Sequence, residues 1–207
     1  TFFTTSNFAE RYPSLIKMLH KKGHEIASHG YYHSDDYSNN LYKVQLSKNK
    51  IEKIIDSKIK GFRAPRFEIK NISELSNLGF VYDSSIHPTW VPGRYCNLFR
   101  KKKIHNIGQM IEIPPSVLPV IRLPISWIFF RNLGIFYSKL FTKINFIFSD
   151  YLMILFHPWE FYDLENIKIP FYIKKNSGGK LIKMLERYIL FCKENNYQFE
   201  IISNYLD

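Results

Sequence analysis

Two histidines, His29 and His33, stand four residues apart in the run His29-Gly30-Tyr31-Tyr32-His33. On a helical turn that spacing puts both imidazoles on one face, where their nitrogens can point at one metal ion. Imidazole suits zinc, and cobalt, nickel or iron as well. A pair of surface histidines shows the same spacing by chance, so the spacing alone decides little. Three more polar residues stand where apolar strand-like runs end. Arg63 follows Gly61-Phe62, and a buried guanidinium there needs a carboxylate to fill its planar fork. Asp83 follows Phe80-Val81-Tyr82 and reads either as a turn cap or as part of a site. His157 closes the apolar run Tyr151 to Phe156, and Glu160, three residues on, is either a cap or a partner of the ring.

The elements that must hold these residues alternate. Tyr12, Leu15, Ile16 and Leu19 mark one helical face that ends at Gly23, and His24 to Ser28 follows as a short strand. Leu41, Val44, Ile51, Ile54 and Ile55 form a second stripe, with Ser38 as the expected N-cap. A short helix carries Ile72, Leu75 and Leu78. Ser85 to Pro124 is proline-rich and irregular, with a strand expected around Ile111 and Ile113. A helix is expected within Leu133 to Thr142. Tyr151 to Phe156 reads as a strand covered on both faces. A last helix carries Leu181, Leu185, Tyr188, Ile189 and Cys192, and Phe199 to Ile201 closes the chain as a strand. Alternation of this kind implies βα units and a mainly parallel sheet. Ligand sites of such folds gather at the carboxyl ends of the strands, where His29, His33, Arg63, Asp83 and His157 are all expected.

Composition narrows the classes further. The chain has 207 residues, is 45% hydrophobic, and carries a formal charge of +11 from 29 basic and 18 acidic residues. One core of domain size is within reach. The basic residues are dispersed apart from Lys101-Lys102-Lys103, and no nucleic-acid-binding pattern accompanies them. Nucleic acid is therefore not expected as a partner; an acidic glycan or a membrane surface is. Cys96 and Cys192 make no CxxC pair and no disulfide framework. Val117 to Phe156 is rich in Ile, Leu and Phe, but Arg122, Arg131, Lys139 and Lys143 interrupt it, so an interfacial helix fits better than a membrane span. The chain opens on Thr1-Phe2-Phe3 with no Met, inside an apolar run, and reads as a fragment; the compartment stays open between cytoplasm, membrane surface and cell envelope.

The run Gly23-His24-Glu25-Ile26-Ala27-Ser28-His29-Gly30-Tyr31-Tyr32-His33 resembles the metal-binding stretch of the polysaccharide deacetylases, the family that shares the NodB homology domain. Thr1-Phe2-Phe3 and Ala9-Glu10-Arg11-Tyr12-Pro13 resemble the strand and helix that precede it. Phe62-Arg63-Ala64-Pro65 resembles the family's arginine-proline motif, with Arg66 where many members have a small residue. Tyr82-Asp83-Ser84-Ser85 resembles, more loosely, its aspartate segment. Phe156-His157-Pro158-Trp159-Glu160 resembles the histidine motif of the subgroup associated with exopolysaccharide gene clusters.

The resemblance implies a distorted (β/α) barrel, here a single domain over 1–207 that lacks its first strand. It implies a hydrolase that removes N-acetyl groups from a polysaccharide and releases acetate. His29 and His33 would ligate a divalent metal, zinc before cobalt, nickel or iron. Arg63 would orient the catalytic aspartate, Asp83 would hold the catalytic histidine, and His157 would be the general acid. The family's paired aspartates, a metal ligand and the base, belong upstream of Thr1-Phe2-Phe3; the one adjacent pair here, Asp35-Asp36, falls on an expected loop and is not assigned that role. Without that pair, residues 1–207 are expected to be inactive alone. Two alternatives stay open: an allantoinase-like cyclic amide hydrolase on the same scaffold, and a non-catalytic carbohydrate-binding relative.

Overall fold

The computed structural model describes residues 1–34 and 40–206. It is a mixed α/β structure that divides into two compact units. The first comprises Thr1–His87, Lys103–Pro114 and Glu200–Asp207; the second comprises Pro88–Lys102 and Pro115–Phe199.

The first unit holds a six-stranded sheet. Its strands are β1 (Phe2–Thr4), β2 (Ile26–Ser28), β3 (Gly61–Phe62), β4 (Tyr82–Asp83), β7 (His105–Ile107) and β8 (Met110–Glu112), in the order β1-β2-β3-β4-β8-β7. All neighbours are parallel except β7, which returns as a hairpin on β8. Three helices cross between the early strands: α1 (Ser6–Arg11), α2 (Pro13–Lys21) and α3 (Leu41–Ile55). Their apolar stripes make the core. Ile16, Val44, Ile51 and Ile55 pack with Ile26, Phe62 and Leu75, and each fully buried chain of this size contributes roughly 1.5–3 kcal/mol.

Some local expectations are corrected here. Thr1-Phe2-Phe3, expected as the end of a buried strand, gives β1 at the edge of the sheet, with Phe2 exposed and only Thr4 buried. Tyr12 and Leu15 stay exposed, and α2 buries only Ile16 fully. Ser38 and the Asp35-Asp36 pair lie outside the described residues. The cap of α3 is Asn40, whose side-chain carbonyl accepts the Lys43 N–H at 3.1 Å. Ile72–Leu78 winds as a 3-10 helix. Phe199 to Ile201 is not a strand; the chain instead ends in α7 (Ile202–Leu206).

The second unit is mainly helical. It holds the hairpin of β5 (Trp90–Val91) and β6 (Tyr95–Cys96), then α4 (Ile128–Phe148), α5 (Phe171–Lys174) and α6 (Gly179–Glu194). The helix expected within Leu133 to Thr142 falls in α4, which breaks at Gly134 (φ 81°) into two helical stretches, so the expected segment lies mostly in the second. Ile125, Phe130, Phe141, Leu181 and Tyr188 form its core. Phe130 meets Tyr188 edge to face, with ring centroids 5.5 Å apart. Tyr151 to Phe156 is extended but is no sheet strand. Its bonds alternate between backbone and serine side chains: Ser116 N–H donates to Met153 O, and Leu155 N–H donates to Ser126 Oγ. Hydroxyls that take the place of carbonyls break the ladder that a strand requires. Cys96 is exposed and Cys192 buried, both as free thiols.

Candidate functional site

In the first unit the site grows from the loop after β2. His29 N–H donates to Thr4 O at 2.7 Å, continuing the β1–β2 pairing by one residue. The chain then turns at Gly30, whose φ of 76° favours glycine. Gly30 O accepts from Ser6 N–H at 3.0 Å and from Ser47 Oγ at 2.8 Å, so the first turn of α1 and the middle of α3 both hold it. Residues 31–34 are bends rather than a helical turn, which corrects the expected geometry. The His29 and His33 imidazoles lie side by side, with centroids 5.1 Å apart and planes at 61°.

His29 is oriented by one decisive bond. Its Nδ1 lies 2.6 Å from Arg63 O. A carbonyl only accepts, so Nδ1 carries the proton and Nε2 carries the lone pair in the neutral ring. Metal-ligating histidines show this arrangement, with one nitrogen held by a carbonyl so that the other can ligate. His29 and His33 therefore fit part of a divalent-metal donor set. Among the described residues no group of three His, Cys, Asp or Glu side chains forms a full set.

Arg63 supplies that carbonyl and is itself buried. Its Nε donates to Ser84 O at 2.9 Å and its Nη2 to Ser84 Oγ at 2.6 Å. Its guanidinium sits 4.1 Å from the centroid of the Phe3 ring. Burial lowers its pKa to about 10, against the opposing pull of Tyr82, Asp83 and Glu112, so it remains a cation at neutral pH. The chain after it is strained: Arg66 and Phe67 both have positive φ.

Asp83 and Glu112 are fully buried and face each other in register across β4 and β8. Asp83 accepts from Ser85 N–H at 3.0 Å and Ser85 Oγ at 2.7 Å, the bonds of a turn cap. Glu112 Oε1 accepts from Ile86 N–H at 2.9 Å, while its Oε2 has no donor among the described residues. Two buried carboxyls this close do not both ionise. Burial first, then the Asp83 charge, pushes Glu112 far above the usual carboxylate range. Glu112 is therefore the carboxyl that keeps its proton beside Asp83. Nearby His87 is also buried and is kept neutral, its pKa lowered to about 3 by burial and by the Arg63 charge.

The second unit holds His157. Its backbone N–H donates to Glu160 Oε1 at 2.7 Å, and its Nδ1 lies 3.1 Å from the same oxygen. Glu160 is therefore both cap and ring partner. Arg131 Nε donates to Glu160 Oε2 at 2.9 Å, and both side chains of that ion pair are fully buried. Arg131 Nη1 also donates to Ile173 O and Lys175 O. The His157 ring stacks on Trp159 and meets Trp127 edge-on, at 5.7 and 5.6 Å between centroids. Trp127 itself has a positive φ, and its indole N–H is buried with no acceptor among the described residues. The carboxylate that holds this histidine is thus Glu160, while the hydrogen bonds of Asp83 run to Ser85. Sequence reasoning left Glu160 undecided and missed Arg131 and Glu112. The signal for Arg131 was present: a lone charge within an apolar run needs a buried partner.

Residues 1–82 match the sequence model of the family described as polysaccharide deacetylase. The match includes His29, His33 and Arg63, stops one residue before Asp83, and does not reach His157. Several solved structures share the fold. A probable polysaccharide deacetylase from Pseudomonas aeruginosa PAO1 is 16% identical over 99% of this chain and 65% of its own, with a TM-score of 0.59. A CE4 family pseudoenzyme from Bacillus anthracis is 15% identical over 100% of this chain and 54% of its own, with a TM-score of 0.55. An allantoinase is 16% identical over 98% of this chain and 64% of its own, with a TM-score of 0.56. This chain spans about half the length of several structures that it matches. No curated protein matches it. An enzyme, a pseudoenzyme and an allantoinase share the fold, so the fold alone does not choose the reaction.

Proposed function

We propose that this chain, whose first 82 residues carry the polysaccharide deacetylase sequence, is part of a metal-dependent hydrolase that removes N-acetyl groups from a polysaccharide. The observation that supports this most is the His29–His33 ring pair, with His29 Nδ1 held by Arg63 O, inside the matched residues. An allantoinase reading and a pseudoenzyme reading rest on fold likeness alone.

A divalent ion held by these two histidines and a third ligand would supply Lewis acidity toward water and the acetamide carbonyl. Arg63 holds His29 in the ligating tautomer through its carbonyl and braces the loop with its guanidinium. His157 carries the proton to the departing sugar amine. Because Glu160 Oε1 accepts the Nδ1 hydrogen, Nε2 is the nitrogen that gives up that proton. Arg131 keeps Glu160 in place. The products are acetate and a free amino sugar.

Cobalt(II) reports on the donor set directly. Titrated into the full-length protein, it should give the visible absorption of a site with imidazole ligands. His29→Ala and His33→Ala should each weaken binding by about tenfold or more. Unchanged spectra and affinity in both variants would remove the metal site from this loop.

A further inference from the structure

The outer face of α4 has no role in the proposed chemistry. Its inner face packs on α6, where Phe130 meets Tyr188 and Thr142 shares a 2.6 Å hydrogen bond with the Tyr188 hydroxyl. Outside, Phe136, Leu140 and Ile147 are exposed, Phe136 by 78% and Ile147 by 73%. Spacings of four and seven place all three in one stripe of the helix. Phe148 extends the stripe, and Phe171 and Tyr172 on α5 add two exposed rings beside the helix start, where Asn132 Nδ2 donates to Tyr172 O.

Charge separates this stripe from a generic apolar face. From Ile113 to Ser149 the chain has no Asp or Glu, and its charged residues are Arg122, Arg131, Lys139 and Lys143. Lys143 is exposed within the stripe. The Lys139 and Lys143 ammonium groups lie 5.0 and 5.9 Å from the centroid of the Phe191 ring on α6, so both cations sit along the edge of the stripe next to α6. The chain as a whole carries +11. No helix among the described residues is long and apolar enough to cross a membrane. An apolar, aromatic stripe flanked by cations is the pattern of a helix that lies in a bilayer interface.

We propose that α4 docks on an anionic phospholipid surface, with Phe136, Leu140 and Ile147 entering the headgroup boundary and Lys139 and Lys143 facing the lipid charge. A second copy of the chain is the poorer occupant. A two-fold contact through this face would set Lys139 and Lys143 against their own copies.

The test uses the full-length protein and sedimentation with vesicles. Vesicles of about one-third phosphatidylglycerol should bind at least tenfold more tightly than pure phosphatidylcholine, and the excess should fall as salt rises. Phe136→Glu with Ile147→Glu should lose that binding while thermal unfolding stays close to that of the parent, since both positions are exposed. Lys143→Glu should weaken binding to anionic vesicles by about fivefold or more and leave neutral vesicles unaffected. Equal binding to both lipids, no binding to either, or a self-association that the double variant abolishes would each overturn the proposal.

Discussion

At the residue scale, two carboxylates decide how two different groups behave. Glu160 Oε1 engages the Nδ1 side of His157 and leaves Nε2 outward of that bond, and buried Arg131 pairs with Glu160 Oε2. Glu112 does the opposite kind of work: burial first, then the Asp83 charge beside it, raises its pKa to about 10, so it holds a proton at neutral pH. The Glu112 pKa is raised in the folded state, so the folded chain keeps a proton that the unfolded chain has released. Stability must then fall as pH rises from the ordinary carboxylate range toward the raised value. Glu112→Gln keeps the shape, and its amide can donate to Asp83. Urea unfolding between about pH 5 and 9 should show the variant gaining on the parent steadily as pH rises, with the two nearly equal near pH 5. Parallel curves would mean that Glu112 does not hold the proton. The partners of Glu112 and Arg131 were not legible in the sequence, because each lies 29 positions away, although the lone charge of Arg131 in an apolar run signalled that it needs one. Apolar periodicity tells which face of an element is buried, but not which residue of a distant element will meet it.

At the element scale, short strands place the residues, and close packing keeps those strands in register. β3 is two residues long, and Gly61 is one of them. A methyl group there would sit 2.1 Å from Tyr82 Cζ, on a ring that is fully buried between neighbours. That ring reaches Glu25 Oε1 with its hydroxyl at 2.9 Å, so it cannot step aside without breaking the bond. Gly61→Ala should therefore cost about 1–3 kcal/mol or more by overpacking, read as a lower midpoint in urea. An unchanged midpoint would show that β3 and β4 have slack. The strand position before Arg63 was legible from its apolar run, whereas the strand expected at Phe80-Val81-Tyr82 is β4 at Tyr82–Asp83, with Asp83 inside it. Tyr151 to Phe156 misled because its apolar run has the composition of a central strand. Its neighbours, Ser116 and Ser126, offer hydroxyls that no pattern within the run reveals. The His29–His33 spacing was read as a helical turn. The rings meet instead because Gly30 turns the chain with a positive φ, a feature that spacing does not encode.

At the scale of the whole molecule, the mixed α/β fold and the polysaccharide deacetylase resemblance were both legible, because a run of eleven residues ending in His33 carries the family's motif and βα alternation carries the fold. The reaction is the larger claim, since the same fold serves a pseudoenzyme and an allantoinase. Acetate release measures it directly. The full-length protein, loaded with zinc or cobalt, is given N-acetylated chitin oligomers and the polysaccharide made by its own cells, with allantoin as the control. The account predicts acetate release that a chelator stops and added metal restores. His29→Ala, His33→Ala and His157→Ala should each lower kcat/KM by about a hundredfold or more, and Glu160→Gln should lower kcat more than it changes KM. Release that survives the chelator and the histidine variants, or loss of allantoin with no acetate from any glycan, would contradict it.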